Sequence, residues 1–184
     1  MTILAFDTAT TFGAVCALTG GGRRLSTPRA GDVLQLVDEF VDDPAELEGI
    51  VVGRGPGSFT SIRIGLAVAR TLSFALGLPV AGVSTLDAFD GGTVVLDARR
   101  GEVFTAGPRV CAPEQLDADG LTLVGDGAIR YRSLFEAAGA QVPPDADPVH
   151  RPDPLRLVER AGAFGAPGLV EPLYVREPDA KAVA

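Results

Sequence analysis

The sequence of 184 residues has no tryptophan, one histidine and two cysteines, and these shortages exclude several classes of protein. Cys16 and Cys111 are too few for a disulfide framework and lack the CxxC spacing of a metal site, so we expect two reduced thiols. A zinc or iron enzyme needs clustered His, Cys or acidic ligands, which this sequence does not supply, and we expect no bound metal. His150 lies between two prolines, and we interpret it as a solvated loop residue.

Positive charge is also scarce, because 24 acidic residues outnumber 16 basic ones and the net charge is −8. That balance opposes an extended surface for phosphates, so we expect nucleic acid to be at most a ligand shared with other proteins. No apolar run reaches the ~18 residues of a membrane span, and Met1 leads directly into a strand-like segment. We therefore expect a cytoplasmic protein with neither signal peptide nor membrane anchor.

Hydrophobic patterning predicts an α/β protein of two lobes, residues 1–92 and a thinner lobe 93–184 whose final segment packs back on the first. The predicted strands are the segments 3–7, 14–18, 23–27, 49–53, 79–84, 93–97, 102–106 and 121–124. Helical spacing of apolar residues follows Asp32 and recurs at 60–76, before the helix-terminating Gly77. Further helices are predicted near 128–138 and from Asp153 to Ala163. The continuous apolar run at 49–53 indicates a parallel strand that is buried on both faces.

Two segments carry candidate chemistry. Asp7, Thr8 and Thr10 end the first strand, where a carboxylate and hydroxyls can face a phosphate and a hydrated metal, although Asp and Thr are also ordinary turn formers. The second segment is a glycine-rich loop that leads into a helix N-terminus, a natural anion site. Its residues are Gly53, Arg54, Gly55, Pro56, Gly57, Ser58, Phe59 and Thr60.

Known phosphate motifs do not fit this loop. A Walker motif needs a lysine before its Ser or Thr, and the only lysine of the chain is Lys181. The dinucleotide fingerprint needs a third glycine where Ser58 stands. A serine hydrolase is excluded in the same way, because the segment 82–86 lacks the closing glycine of a nucleophile elbow.

Five segments, taken together and in order, resemble the TsaB (YeaZ) family. They are the opening 3–10, the loop 53–65, and the segments 82–86, 97–104 and 171–176. The resemblance implies a two-lobed actin-like ATPase fold (ASKHA, ribonuclease H-like) with a shortened second lobe. It also implies a part in forming threonylcarbamoyladenosine in tRNA. Members of this family are similar to the transferase TsaD but lack its metal-binding histidines, as this chain does.

The resemblance further implies a scaffold subunit without catalysis of its own, which pairs with TsaD, recruits TsaE and can form a homodimer. It implies no resident cofactor, although ATP or ADP could bind weakly at the complex. Active kinases of this superfamily have glycine where Ala9 stands, and a Cβ there crowds the approach of backbone to phosphate. The alternative is a small actin-like ATPase or kinase that acts alone. Asp7, Thr8 and Thr10 are then a vestigial phosphate site.

The helix predicted at 60–76 is apolar on two sides, which favours burial against both the sheet and a partner. One stripe contains Ile62, Leu66 and Ala69, and the nearly opposite one contains Ile64 and Val68. Which stripe faces the sheet is left open by the sequence. We assign to the partner interface the residues Ile62, Arg63, Gly65, Leu66, Ala69, Arg70 and Ser73.

Overall fold

The structure is a computed structural model, and it describes residues 1–21 and 24–176. Gly22 and Arg23, where we predicted a turn and the start of a strand, lie outside the described residues. So do residues 177–184, which include Lys181.

The first sheet has five strands in the order β3-β2-β1-β4-β5. They are β1 (Ile3–Asp7), β2 (Ala14–Leu18), β3 (Arg24–Thr27), β4 (Gly49–Gly53) and β5 (Val80–Val83). β4 is buried along its whole length and pairs in parallel with β1 and β5, which confirms the prediction from its continuous apolar run. The parallel pairing brings the carboxyl ends of β1, β4 and β5 together at the same end of the sheet.

Helices cover both faces of this sheet. α1 (Val33–Phe40) and α2 (Phe59–Leu76) pack on one face, around a core that includes Phe6 and Ile50. On the other face, α5 (Pro154–Arg160) packs with Leu157 in a second core. The Ser58 side chain accepts from the Ser61 amide at the start of α2, and Gly77 ends that helix in the left-handed conformation at φ +67°.

The second sheet has four strands in the order β8-β7-β6-β9. They are β6 (Thr93–Arg99), β7 (Glu102–Thr105), β8 (Arg109–Cys111) and β9 (Leu123–Val124). The helix predicted at 128–138 is in fact two short helices, α3 (Asp126–Arg130) and α4 (Arg132–Ala137), because Tyr131 between them departs from helical geometry with φ −108° and ψ 23°.

The structure shows which stripe of α2 faces the sheet, and part of our interface assignment is wrong. Five of the assigned residues are buried against the chain's own core: Ile62, Gly65, Leu66, Ala69 and Ser73. A Cβ added at Gly65 would lie 2.4 Å from the Thr8 hydroxyl, so helix and strand end are in close contact there. These five residues are therefore part of the chain's own core.

α2 is also long and apolar enough to cross a membrane when length and composition alone are considered. Its apolar character arises from two different sides, however. One side is buried on the sheet, and the half-buried Ile64, Val68 and Leu72 of the other pack at the margin of the same core. We therefore interpret α2 as a core helix of the first sheet, since helices of that kind pass the same test.

His150 was expected in a solvated loop, and that interpretation is wrong. Its side chain is completely buried, its Nδ1 accepts a hydrogen bond from the Gly125 amide at 3.1 Å, and its Nε2 lies 3.0 Å from the Pro143 carbonyl. In these contacts Nδ1 accepts and Nε2 donates. His150 thus fixes the proline-rich connection to the start of α3.

Candidate functional site

A cleft of about 670 Å3 lies between the first and second sheets. It is lined by the β1–β2 turn, the first turn of α2, the end of β6 with its hairpin turn, and the segment 173–176. The opening motif and the glycine-rich loop both reach it, so the structure brings the two sequence candidates together. A volume of this size is typical of pockets for small ligands.

Asp7 is sealed away from this cleft. Its carboxylate accepts hydrogen bonds from the Thr85 hydroxyl at 2.6 Å and the Ala9 amide at 2.7 Å, and the side chain is almost completely buried. A Cβ at Gly53 would lie only 1.6 Å from Asp7 Oδ2, so this glycine is needed for the carboxylate to fit. Burial raises the pKa of Asp7, and the two hydrogen bonds offset that effect only in part. The Asp7 carboxylate therefore serves the packing at the end of β1.

Thr8 and Thr10 have different surroundings. The Thr8 hydroxyl is buried and donates to the Ser61 carbonyl at 2.7 Å, so it joins β1 to α2. Thr10 lines the cleft, and its buried hydroxyl has no hydrogen-bond partner among the described residues. Of the three residues assigned to a vestigial phosphate site, Thr10 therefore lines the cleft described here, whereas Asp7 and Thr8 serve the packing of β1.

The glycine-rich loop is held by packing against its neighbours. The Ser58 amide donates to the Ala9 carbonyl at 2.9 Å, and a Cβ at Gly57 would lie 2.3 Å from that same oxygen. At the other end of the loop, the Gly55 amide donates to the Thr85 hydroxyl at 3.1 Å. These contacts explain the glycine at position 57 without reference to a bound phosphate.

Asp126 connects the two sheets across the cleft. This acid begins α3, and one of its carboxylate oxygens accepts from both the amide and the hydroxyl of Thr11, at 2.9 and 2.8 Å. The other oxygen accepts from the Asp97 amide at 2.9 Å. The sequence analysis did not identify this residue. Its position between Gly125 and Gly127 is the only local signal, and it indicates a turn.

Asp97 also lines the cleft, and two nearby arginines balance its negative charge. Its carboxylate accepts from the Arg99 amide at 2.9 Å and lies 3.4 Å from the Arg99 guanidinium and 3.7 Å from that of Arg130. Within residues 1–21 and 24–176, no three His, Cys, Asp or Glu side chains form a group that could hold a metal ion.

The segment 170–176 closes one side of the cleft. Val170 is buried in the first core, the Leu173 amide donates to the Arg54 carbonyl at 2.7 Å, and Arg176 pairs with Glu102 of β7. The segment therefore runs from the first sheet, over the glycine-rich loop, to the second sheet. The segment 171–176, one of the five that resemble the family, therefore connects the two sheets along this side of the cleft.

The outward side of α2 is the second candidate site. Phe74 is 85% exposed there and Ala67 is also exposed, whereas the half-buried Ile64, Val68 and Leu72 pack at the margin of the first core. Between residues 49 and 86 the chain has three arginines and no acidic residue, whereas the net charge of the whole chain is −8. An apolar helix face with a basic margin is typical of a protein interface.

The chain is similar to proteins of a known family. Residues 33–119 match the family model of TsaD, the tRNA N6-adenosine threonylcarbamoyltransferase. An uncharacterized protein of Mycobacterium tuberculosis is 37% identical, in an alignment that covers 100% of this chain and 95% of that protein. The tRNA threonylcarbamoyladenosine biosynthesis protein TsaB of Haemophilus influenzae is 28% identical over 74% of this chain and 76% of the relative.

Among solved structures, YeaZ from Pseudomonas aeruginosa matches with a TM-score of 0.73 and 26% sequence identity, covering 94% of this chain and 99% of that one. Together with the two sheets and their helices, these findings confirm the actin-like fold that the resemblance implied.

Proposed function

Because the chain belongs to the TsaB (YeaZ) family, we propose that it acts in tRNA threonylcarbamoyladenosine biosynthesis as a non-catalytic scaffold subunit. In this role it binds and supports TsaD and recruits TsaE, in the cytoplasm. tRNA is held by the assembled complex, because the net charge of −8 leaves little positive surface on this chain. Any ATP or ADP binds weakly and at the complex.

The enclosure of Asp7 is the observation that carries the non-catalytic part of this proposal. An acid that holds a hydrated metal beside a phosphate has to reach the ligand cleft. Here both carboxylate oxygens of Asp7 accept protein hydrogen bonds, and Gly53 closes over one of them. Ala9 adds a methyl group where the approach to a phosphate has to be close. These contacts support the proposal that the chain keeps the actin-like fold but has no catalytic site for a metal and a phosphate.

The outward side of α2 supports the scaffold part. Phe74 is an exposed apolar side chain near the end of α2, on a side of the helix that its own sheet does not cover, and a second helix could pack there. We propose that TsaD, itself a relative by the matched family model, packs on this side. A second copy of the chain could use the same surface, so homodimer and heterodimer compete.

A binding experiment tests the scaffold role. Phe74→Asp places a charge on the exposed face of α2, and Ala106→Asp places the same charge on an exposed turn of the second sheet. We expect the Phe74 variant to remain folded, to lose co-purification with TsaD and to lose self-association in ultracentrifugation. The Ala106 variant should retain both. Retention of TsaD binding by both variants would contradict the assignment of this face.

A turnover assay tests the alternative of an ATPase or kinase that acts alone. We expect the purified chain to show no ATP hydrolysis, and to be required when threonylcarbamoyladenosine formation is reconstituted with TsaD and TsaE. Hydrolysis at ~1 s⁻¹, an ordinary enzymatic rate, that Asp7→Ala abolished would show that the scaffold proposal is wrong.

A further inference from the structure

An exposed aromatic pair lies at the mouth of the cleft. Phe59 opens α2, Tyr174 belongs to the segment that closes the cleft, and their rings stack with centroids 5.1 Å apart. Phe59 is 40% exposed and Tyr174 is 38% exposed. The Arg63 guanidinium lies 4.0 Å from the Phe59 ring centroid, and its Nε donates to the Tyr174 hydroxyl at 2.9 Å. These contacts hold the two rings together, and both rings remain partly exposed.

Arginines line the other side of the same cleft. Arg99 ends β6 and Arg100 begins the turn to β7, and both have left-handed backbone conformations, with φ of 62° and 55°. Such conformations are rare for long side chains, and strained residues concentrate at functional sites. Both arginines are exposed.

Three arginines and two carboxylates line the cleft, although the chain as a whole is acidic. Asp97 pairs with Arg99 and Arg130, and Asp126 accepts from the amide and hydroxyl of Thr11, so Arg99 balances Asp97 as well as lining the cleft. Seven acidic residues and no basic one occupy 32–48, a segment that does not line the cleft. The acidic surface and the arginine-lined cleft are therefore separate features of the chain.

From this arrangement we infer that the cleft mouth binds an unpaired nucleotide of an RNA loop. The base stacks on the pair formed by Phe59 and Tyr174, and the adjoining phosphates lie near Arg99 and Arg100. Proteins recognise single-stranded RNA by this combination of aromatic stacking and arginine contacts. The inference rests on the proposed function, and it assigns to this chain a local contact with the tRNA that the complex holds.

Two other ligands fit the observations less well. An acidic peptide would use the arginines but has no need of an exposed aromatic pair. A free nucleotide such as ATP would bring a metal and a triphosphate, yet Asp7 is sealed from the cleft. Both are outcomes that the test below distinguishes.

The test is a fluorescence titration of the full chain with a labelled RNA hairpin that carries an unpaired loop. A fully paired RNA duplex, ATP with magnesium and an acidic peptide serve as competitors. The double variant Phe59→Leu and Tyr174→Leu keeps apolar bulk but removes the rings, and Arg99→Ala with Arg100→Ala removes the charges. Arg160→Ala, an exposed arginine of α5 outside the cleft lining, is the matched control.

We expect weak binding of the hairpin by the original chain, and an affinity lowered about tenfold by the ring variant, because stacking on aromatic side chains contributes at this level. The arginine variant should bind more weakly and with a smaller dependence on salt, whereas Arg160→Ala should bind like the original chain. Equal binding of hairpin and duplex, or no effect of the ring variant, would overturn the inference. Displacement by ATP or by the acidic peptide at concentrations where the duplex has no effect would overturn it as well.

The same variants separate this inference from the proposed function. The ring and arginine variants should still co-purify with TsaD, since Phe59 opens α2 at the end opposite Phe74 and the other substitutions lie outside α2. Loss of RNA binding with retained TsaD binding supports the inference. Loss of TsaD binding by Phe74→Asp together with unchanged RNA binding by the ring variant would leave the scaffold role intact and reject the RNA contact.

Discussion

The Thr85 hydroxyl donates a 2.6 Å hydrogen bond to the carboxylate of Asp7, a residue 78 positions earlier in the chain. The same hydroxyl oxygen accepts from the Gly55 amide at 3.1 Å, and the Thr85 amide donates to the Gly55 carbonyl at 2.8 Å. Thr85 is completely buried. One side chain thus connects the ends of β1 and β5 with the glycine-rich loop.

Replacing this hydroxyl should destabilise the fold measurably. Thr85→Val keeps the shape of the side chain but leaves the Gly55 amide without its acceptor and Asp7 Oδ2 without its donor. We expect the free energy of unfolding to fall by about 1–3 kcal/mol for each group left unsatisfied. Urea denaturation measures the change. Thr71→Val, on the exposed side of α2, is the matched control and should change the free energy of unfolding little.

The buried charge of Asp7 should make stability depend on pH in a defined direction. Burial raises the pKa of this carboxyl above its ordinary value of 3.8, so the folded protein holds the proton more tightly than the unfolded chain. The stability that Asp7 contributes is complete below pH 3.8 and is lost as the pH rises through the folded-state pKa.

Comparison with Asp7→Asn tests this dependence, because asparagine does not titrate. The free energy of unfolding of the original chain minus that of the variant should decrease as the pH rises from about 4 toward neutrality. Urea unfolding at several pH values gives the difference. A difference that is constant, or that increases with pH, would contradict the burial of a carboxyl with a raised pKa.

The sequence predicts the helices and strands that depend on neighbouring residues. It does not predict the contacts between residues that are distant in the chain. The strand at 49–53 is identified by its own apolar run, and α2 by the helical spacing of its apolar residues and by Gly77. Local spacing cannot show which stripe of α2 meets the sheet, because both stripes are apolar. The partners Thr85 and Asp126 are distant in sequence from Asp7 and Thr11, and pairing of this kind depends on the folded topology. His150 illustrates the same limit, since its neighbours in sequence indicate a loop while its contacts bury it.

A pair of identical substitutions on α2 tests the orientation of that helix. Ala69 is completely buried against the sheet, whereas Ala67 is exposed on the same helix. Ala69→Arg would bury an unpaired charge, so we expect loss of the folded state. Ala67→Arg should fold normally. Circular dichroism and urea titration measure both variants, and a folded Ala69→Arg protein would show that α2 is oriented differently.

Asp126 should control how firmly the two sheets are held together over the cleft. Its carboxylate accepts from the amide and hydroxyl of Thr11 on one side and from the Asp97 amide on the other. Asp126→Ala removes all three acceptor contacts, so the amides of Thr11 and Asp97 lose their partner. Hydrogen exchange read by nuclear magnetic resonance should show faster exchange at these two amides, by about tenfold or more, because local opening then costs less free energy.

Amides in the middle of β1, such as that of Ala5, should keep their protection. Thr11→Val removes only the hydroxyl contact and should accelerate exchange less. Unchanged protection of Thr11 and Asp97 in Asp126→Ala would mean that the packing of the sheets, and not this carboxylate, holds the cleft in its present shape.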